Sequence, residues 1–174
     1  IFAGGIFGTG QDLWAYSPGS DSWTRKADWT EQTGRDAAVY DTDRNELLVF
    51  LPSSTPTLGK LIAYNAASNA WAVRTTGSVG PRDCPGVWDA QGKRMLLFSG
   101  TTMDQEVWSY TSTSVTWSCP SYLLPAGYHS AIWDDQNNKM MVFNGENGVT
   151  GALPDETWAY DPSTGKWERK PQAP

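Results

Sequence analysis

The chain carries a single histidine, His129, and that count constrains its chemistry. A protein copper centre draws several nitrogen ligands, which one imidazole does not supply. The two cysteines, Cys84 and Cys119, make neither a disulfide framework nor a zinc site. Hydrolysis needs paired carboxylates or a nucleophile beside its base. Asp41, Asp89 and Asp134 do recur, but each closes a short apolar run (AAVYD, PGVWD, SAIWD) and precedes TDRN, AQGK or DQNN. An aspartate so placed opens a turn by accepting hydrogen bonds from the backbone ahead of it, and the Gly or Asn that follows tolerates positive φ. GENGVTG (145–151) is glycine-rich but lies between strand-like runs, so it reads as a loop and not as a phosphate cradle before a helix. These residues predict no catalytic group, no metal and no cofactor, and lean toward a protein that is not an enzyme.

Composition narrows the partners. The net charge is −6 and no run of Lys or Arg occurs, which argues against nucleic acid. Runs such as LLVFL (47–51) and MMVF (140–143) fall far short of the roughly 18 apolar residues of a membrane helix. At 174 residues the chain is long enough for one domain with a real core, and 10 Trp, 7 Tyr and 5 Phe can dominate it. A surface rich in Trp, Thr and Ser and poor in Lys favours an extracellular setting over a cytoplasmic one. A first residue of Ile, with no charged-then-apolar leader, predicts a processed product or a piece of something longer.

The elements that would position any site come from a repeat. A tyrosine is followed seven positions later by a tryptophan at Tyr16/Trp23, Tyr64/Trp71, Tyr110/Trp117 and Tyr160/Trp167. Upstream of each tyrosine stand DLWAY, KLIAY, EVWSY and ETWAY, and further upstream IFAGG, LLVFLP, MLLFSG and MMVFNG. Three of the four units add AAVYD, PGVWD or SAIWD before that. Each unit is thus four short runs, A to D, separated by turn residues, which predicts an all-β chain. No segment sustains a helical apolar period. The B runs are apolar at consecutive positions, as a strand is when both faces of its sheet are covered. Tyr ends strand C, Trp sits in strand D, and the six residues between them form a hairpin. Ser17, Asn65, Thr111 and Asp161 can each bond the local backbone there, and Asp21, Asn69 and Gly165 accept left-handed φ. Val115 does not, so the third hairpin is expected to differ. A fixed hairpin length fixes register, and the spacing therefore reads as packing.

A four-stranded unit of this length, apolar on both faces, is the signature of a propeller blade. The residues resemble kelch repeats, in which an apolar strand ends in a glycine pair and a Tyr and a Trp follow at fixed spacing. FAGG supplies the pair as Gly4 and Gly5, whereas FSG and FNG keep one glycine each and FLP none. The resemblance also covers an Arg or His near the start of strand A, here Arg35, Arg82 and His129, and gives His129 a structural place. It implies a kelch-type β-propeller of about four antiparallel blades, approximately 1–34, 35–81, 82–127 and 128–174. The first blade lacks its inner strand, so fifteen strands are expected. A single propeller domain over 1–174 would then be part of a larger ring or one completed by another chain. Cys84 and Cys119 fall on opposite edges of one blade, too far apart for a disulfide, an objection that weakens where Cys119 adjoins Pro120.

Kelch propellers serve many functions, and the resemblance implies binding more than chemistry. Galactose oxidase-like enzymes use similar blades around copper, but one histidine does not build their site within these residues. Loops B-to-C and D-to-A gather on one face. That face receives Arg35 and Arg82, which suit acidic groups of a protein or peptide partner. The longest B-to-C loop, ENGVTGALPD (146–155), adds Asn147 and Thr150. A glycan is the alternative ligand, stacked on Trp29, Tyr122 or Tyr128, which lie outside the aromatic register. A galactose-oxidase-like domain with its active-site residues elsewhere is part of the same alternative.

Overall fold

A computed structural model describes residues 2–4, 12–30, 37–52, 59–78, 84–98, 106–111, 116–122, 129–143 and 156–171, with 2–4, 77–78, 106 and 116–122 defined by backbone alone. All regular structure in these residues is antiparallel β. The fifteen strands form four separate sheets in chain order. The first holds β1 (Phe2–Gly4), β2 (Leu13–Ser17) and β3 (Ser22–Arg25). The second holds β4 (Ala37–Asp41), β5 (Glu46–Leu51), β6 (Gly59–Asn65) and β7 (Ala70–Ser78). The third runs through β8 (Gly86–Asp89), β9 (Arg94–Phe98), β10 (Glu106–Thr111) and β11 (Thr116–Tyr122). The fourth is β12 (Ser130–Asp134), β13 (Lys139–Phe143), β14 (Thr157–Asp161) and β15 (Lys166–Arg169). Within each sheet, strands that are neighbours in sequence are neighbours in space.

Turn chemistry creates these hairpins. Asp41 Oδ1 accepts from the backbone N–H groups of Asp43 and Arg44, both at 3.0 Å. Asn65 does the same for Ala67 and Ser68, and Asp134 for Gln136 and Asn137. The last residue of each turn is left-handed: Asp21, Asn45, Asn69, Asn138 and Gly165 have φ between 45° and 70°. The expected hairpin positions Asp21, Asn69 and Gly165 are therefore left-handed, while Val115 lies outside the described residues. The turn after Asp89 departs from expectation. Positive φ falls on Lys93, at 51°, and not on the adjacent Gly92. Gly92 is needed for space instead: a Cβ there would stand 2.4 Å from Asp89 Oδ2 and 2.7 Å from Arg94 Nε.

Each Tyr–Trp pair is a direct cross-strand pair, including Tyr110 opposite Trp117. Ring centroids lie 5.0 Å apart for Tyr16/Trp23, 5.3 Å for Tyr64/Trp71 and 5.0 Å for Tyr160/Trp167. Tilted aromatic pairs at this separation add roughly 0.5–1.5 kcal/mol beyond area burial. The constant spacing is thus accounted for by hairpin register and ring packing.

The third sheet is buried on both faces. Trp88, Met95, Leu97 and Tyr110 pack against Ala37, Val39, Leu48 and Phe50 of the second sheet. Val87, Leu96 and Phe98, one residue out of phase, pack against Met140, Val142 and Tyr160 of the fourth. Consecutive apolar residues in β9 therefore serve opposite cores, as strand alternation requires. The first strands of these sheets also lie together, β4 beside β8 and β8 beside β12. Trp88 Nε1 donates to Thr42 Oγ1 at 3.2 Å, and Lys93 Nζ meets Asp43 Oδ2 at 3.2 Å, so neighbouring turns are tied as well.

Candidate functional site

A polar cleft of about 460 Å³ opens where three hairpin turns converge. The β8–β9 hairpin contributes Asp89, Gln91, Gly92 and Arg94, the β12–β13 turn Asn137 and Asn138, and the β14–β15 turn Asp161, Pro162 and Ser163. Side chains thus come from two sheets, and face-to-face packing of the sheets sets the width between them.

Asp89 forms the inner wall. It is 2% exposed, accepts from Gly92 N–H at 2.8 Å, and pairs with Arg94 Nε at 2.8 Å. Removing either partner would strand a buried carboxylate, so this unit is firmly held. Asp161 accepts from Ser163 through both the hydroxyl, at 2.6 Å, and the backbone N–H, at 2.9 Å. The Ser163 hydroxyl, then its backbone N–H, hold the Asp161 carboxyl below the usual carboxylate range. Asp134 is likewise held low, first by the Asn137 side chain and then by its backbone. The cleft therefore presents carboxylates, amides, a hydroxyl and one guanidinium. That set can orient a polar ligand by hydrogen bonds. It contains no imidazole or thiol, and its one hydroxyl, on Ser163, is engaged with Asp161 within their shared turn. Among the described residues, no group of three or more His, Cys, Asp and Glu stands ready for a metal ion.

A second charged group lies deeper, between the second and third sheets. Glu46 binds Arg74 and accepts from Asn65 Nδ2 at 3.4 Å, beside a fully buried Asp41. Burial raises the Tyr110 hydroxyl above its usual range, and Arg44 and Arg74 oppose that rise. Because Arg74 compensates the buried Glu46 beside Asp41, this group reads as part of the packing. His129 is also in the packing: its ring lies 4.1 Å from Phe98 at 49°, with 9% of the residue exposed.

Among the residues anticipated for binding, Arg35, Arg82, Asn147, Thr150 and Tyr128 lie outside the described residues. Tyr122 ends β11, and its side chain is outside the description, as is that of Trp117. Gly4 ends β1, and Gly5 lies beyond it among residues not described. Trp29 is described. It stands half-buried at 5.8 Å from Trp71, on a segment whose Ala27 carbonyl accepts from Trp71 Nε1 at 2.7 Å and whose Ala27 N–H donates to Asn69 Oδ1 at 3.0 Å. These contacts fasten the connection after β3 to the second sheet.

Asp89, Gln91, Gly92, Asn137, Asn138 and Asp161 were visible in the sequence as turn residues. Their convergence was not, because it depends on how far apart two sheets pack. The one local signal was an Asp and an Arg facing each other across a turn that contains glycine. The chain matches no protein-family model and no curated protein.

Proposed function

We propose that the four sheets are blades of a kelch-type β-propeller, and that the chain is a non-catalytic binding and assembly module. Its partner is a protein or peptide held by the face where the B-to-C and D-to-A loops collect. The observation that carries this reading is the third sheet, covered on both faces by its neighbours while β4, β8 and β12 lie side by side. A single four-stranded sheet has no core of its own, and stacking around shared first strands is the arrangement of propeller blades. Arg35 and Arg82 belong to that loop face by their sequence positions, and a guanidinium forms paired hydrogen bonds with carboxylates.

The test is capture of an acidic peptide library by the intact chain, compared with Arg35→Glu and Arg82→Glu. The reading expects capture that both substitutions abolish and that rising salt weakens. Equal capture by all three proteins would remove the arginine face from the argument. Stoichiometric copper in the purified protein would favour an oxidase instead.

A second reading has the turn-face cleft behind it. Asn137, Asn138, Ser163 and Asp161 offer the donors and acceptors that sugar hydroxyls use. A glycan array answered by the chain, and silenced by Gln91→Ala, would shift the proposal to a carbohydrate ligand on the opposite face.

A further inference from the structure

Two interfaces within the chain are built alike. The second sheet turns Val39, Leu48 and Phe50 toward Trp88, Met95 and Tyr110 of the third. The third turns Val87, Leu96 and Phe98 toward Met140, Tyr160, Trp158 and Trp167 of the fourth, with Phe98 and Trp167 centroids 5.1 Å apart. At these two interfaces the leading face carries tyrosine and tryptophan and the trailing face aliphatic residues and phenylalanine. The trailing face of one packs on the leading face of the next.

The fourth sheet has a trailing face too. In β12 and β13, Ala131, Trp133, Met140 and Val142 face the third sheet, so alternation puts Ile132, Met141 and Phe143 on the other side. They hold the register positions of Val87, Leu96 and Phe98. No described strand packs on them: Ile132 is 55% exposed, against 5% for Val87 and 7% for Val39, while Met141 and Phe143 are half-buried. The first sheet offers part of the complementary face: among the described residues it has no counterpart of β12, so Ala131 and Trp133 have no described equivalent there. Its Trp14, Tyr16 and Trp23 stand at the positions of Trp158, Tyr160 and Trp167, and Trp23 is 53% exposed.

We propose that these two faces bind each other between two copies of the chain, the fourth sheet of one against the first sheet of the next. The contact continues, through the outer strands, a packing mode that occurs twice inside the chain. Phe143 meets Trp23 of the second copy as Phe98 meets Trp167. Because the two halves differ, the contact is head-to-tail and not a face bound to itself. This deepens the assembly half of the proposed function and rests on the equivalence of the sheets, not on any ligand.

Sedimentation velocity of the 174-residue chain over a wide concentration series tests it. The expected result is an average mass above the monomer that rises with concentration. Ile132→Asp and Trp23→Glu each leave only one working face, so each alone stays monomeric. Mixed in equal amounts, they form a species that stops at one copy of each. Circular dichroism verifies that both variants are folded. Ile132→Asp titrated into the unsubstituted chain caps assemblies and lowers the average mass, a readout that needs no tryptophan variant. A chain monomeric at every concentration overturns the proposal, as do self-association of Ile132→Asp at full strength and a mixture that stays monomeric. A monomer that still captures its acidic peptide refutes only this contact. An assembling chain that captures nothing refutes only the binding function.

Discussion

Replacing Gly92 with alanine isolates the turn after Asp89, because the obstacle is steric and not conformational. Lys93, not Gly92, carries the left-handed backbone there. An added Cβ would stand 2.4 Å from Asp89 Oδ2, 2.7 Å from Arg94 Nε and 3.0 Å from Asp89 Cγ. The Asp89 carboxylate is buried and bonded on both sides, so its retreat breaks the 2.8 Å contact with Arg94 or the 2.8 Å contact with the Gly92 N–H. Losing one hydrogen bond to a charged group costs about 1.5–3 kcal/mol. Removing glycine's freedom from the unfolded chain returns about 0.4–1 kcal/mol. The net expectation is a loss of about 1–2 kcal/mol, or a few degrees in Tm for a chain of this size. Gly19→Ala is the control, since a Cβ there meets nothing within 4 Å. It keeps the entropic gain alone and is expected to be neutral or slightly stabilising. Urea unfolding of both variants is the assay. Equal midpoints for Gly92→Ala and Gly19→Ala would refute the claim that Asp89 and Arg94 fill the space above Gly92.

Three further outcomes follow from the same geometry. Lys93→Asn places a residue that tolerates left-handed φ where lysine now sits, and loses only an exposed ion pair worth about 0–1 kcal/mol; its urea midpoint should match or exceed that of the unsubstituted chain, while Lys93→Ala should fall below it. Leu96→Ala empties a site sealed between two sheets and should cost about 2–5 kcal/mol, whereas Ile132→Ala at the equivalent position of an open face should cost about 0.5 kcal/mol or less in dilute monomer. The carboxyls of Asp134 and Asp161 are both held below their usual range, so their contribution is fully present above the unfolded value of 3.8 and is lost as pH falls through the folded one; Asp134→Asn and Asp161→Asn should therefore flatten the decline of urea midpoint between about pH 5 and pH 2.

Much of the architecture was legible because each hairpin carries its own instructions. An Asx residue, three more turn residues and a left-handed closing position specify a turn without help from the rest of the chain, as at Asp41 to Asn45. Consecutive apolar residues in MLLF told that β9 has two covered faces, since a strand with one wet face would alternate. The turn of Asp89 to Lys93 misled because glycine has two uses, positive φ and small volume, and composition does not say which is in force. The cleft was illegible for a different reason. Its walls come from turns about 25 residues apart or more, and nothing in either turn encodes the distance between two sheets.

One local code meets different surroundings along the chain, and the difference is informative. Asp41, Asp89 and Asp134 open equivalent turns, and Val39, Val87 and Ile132 occupy equivalent strand positions. Asp41 and Asp89 are buried and Asp134 is half-buried; Val39 and Val87 are buried and Ile132 is exposed. The hairpins are alike, so the local sequence does not set this gradient. What changes is whether a following sheet stands among the described residues. An isoleucine, a methionine and a phenylalanine at the trailing positions of the fourth sheet are the residue types of a buried surface at a place the described residues leave open. A surface meant for water has no physical reason to keep that pattern, whereas one that receives a tyrosine–tryptophan face does.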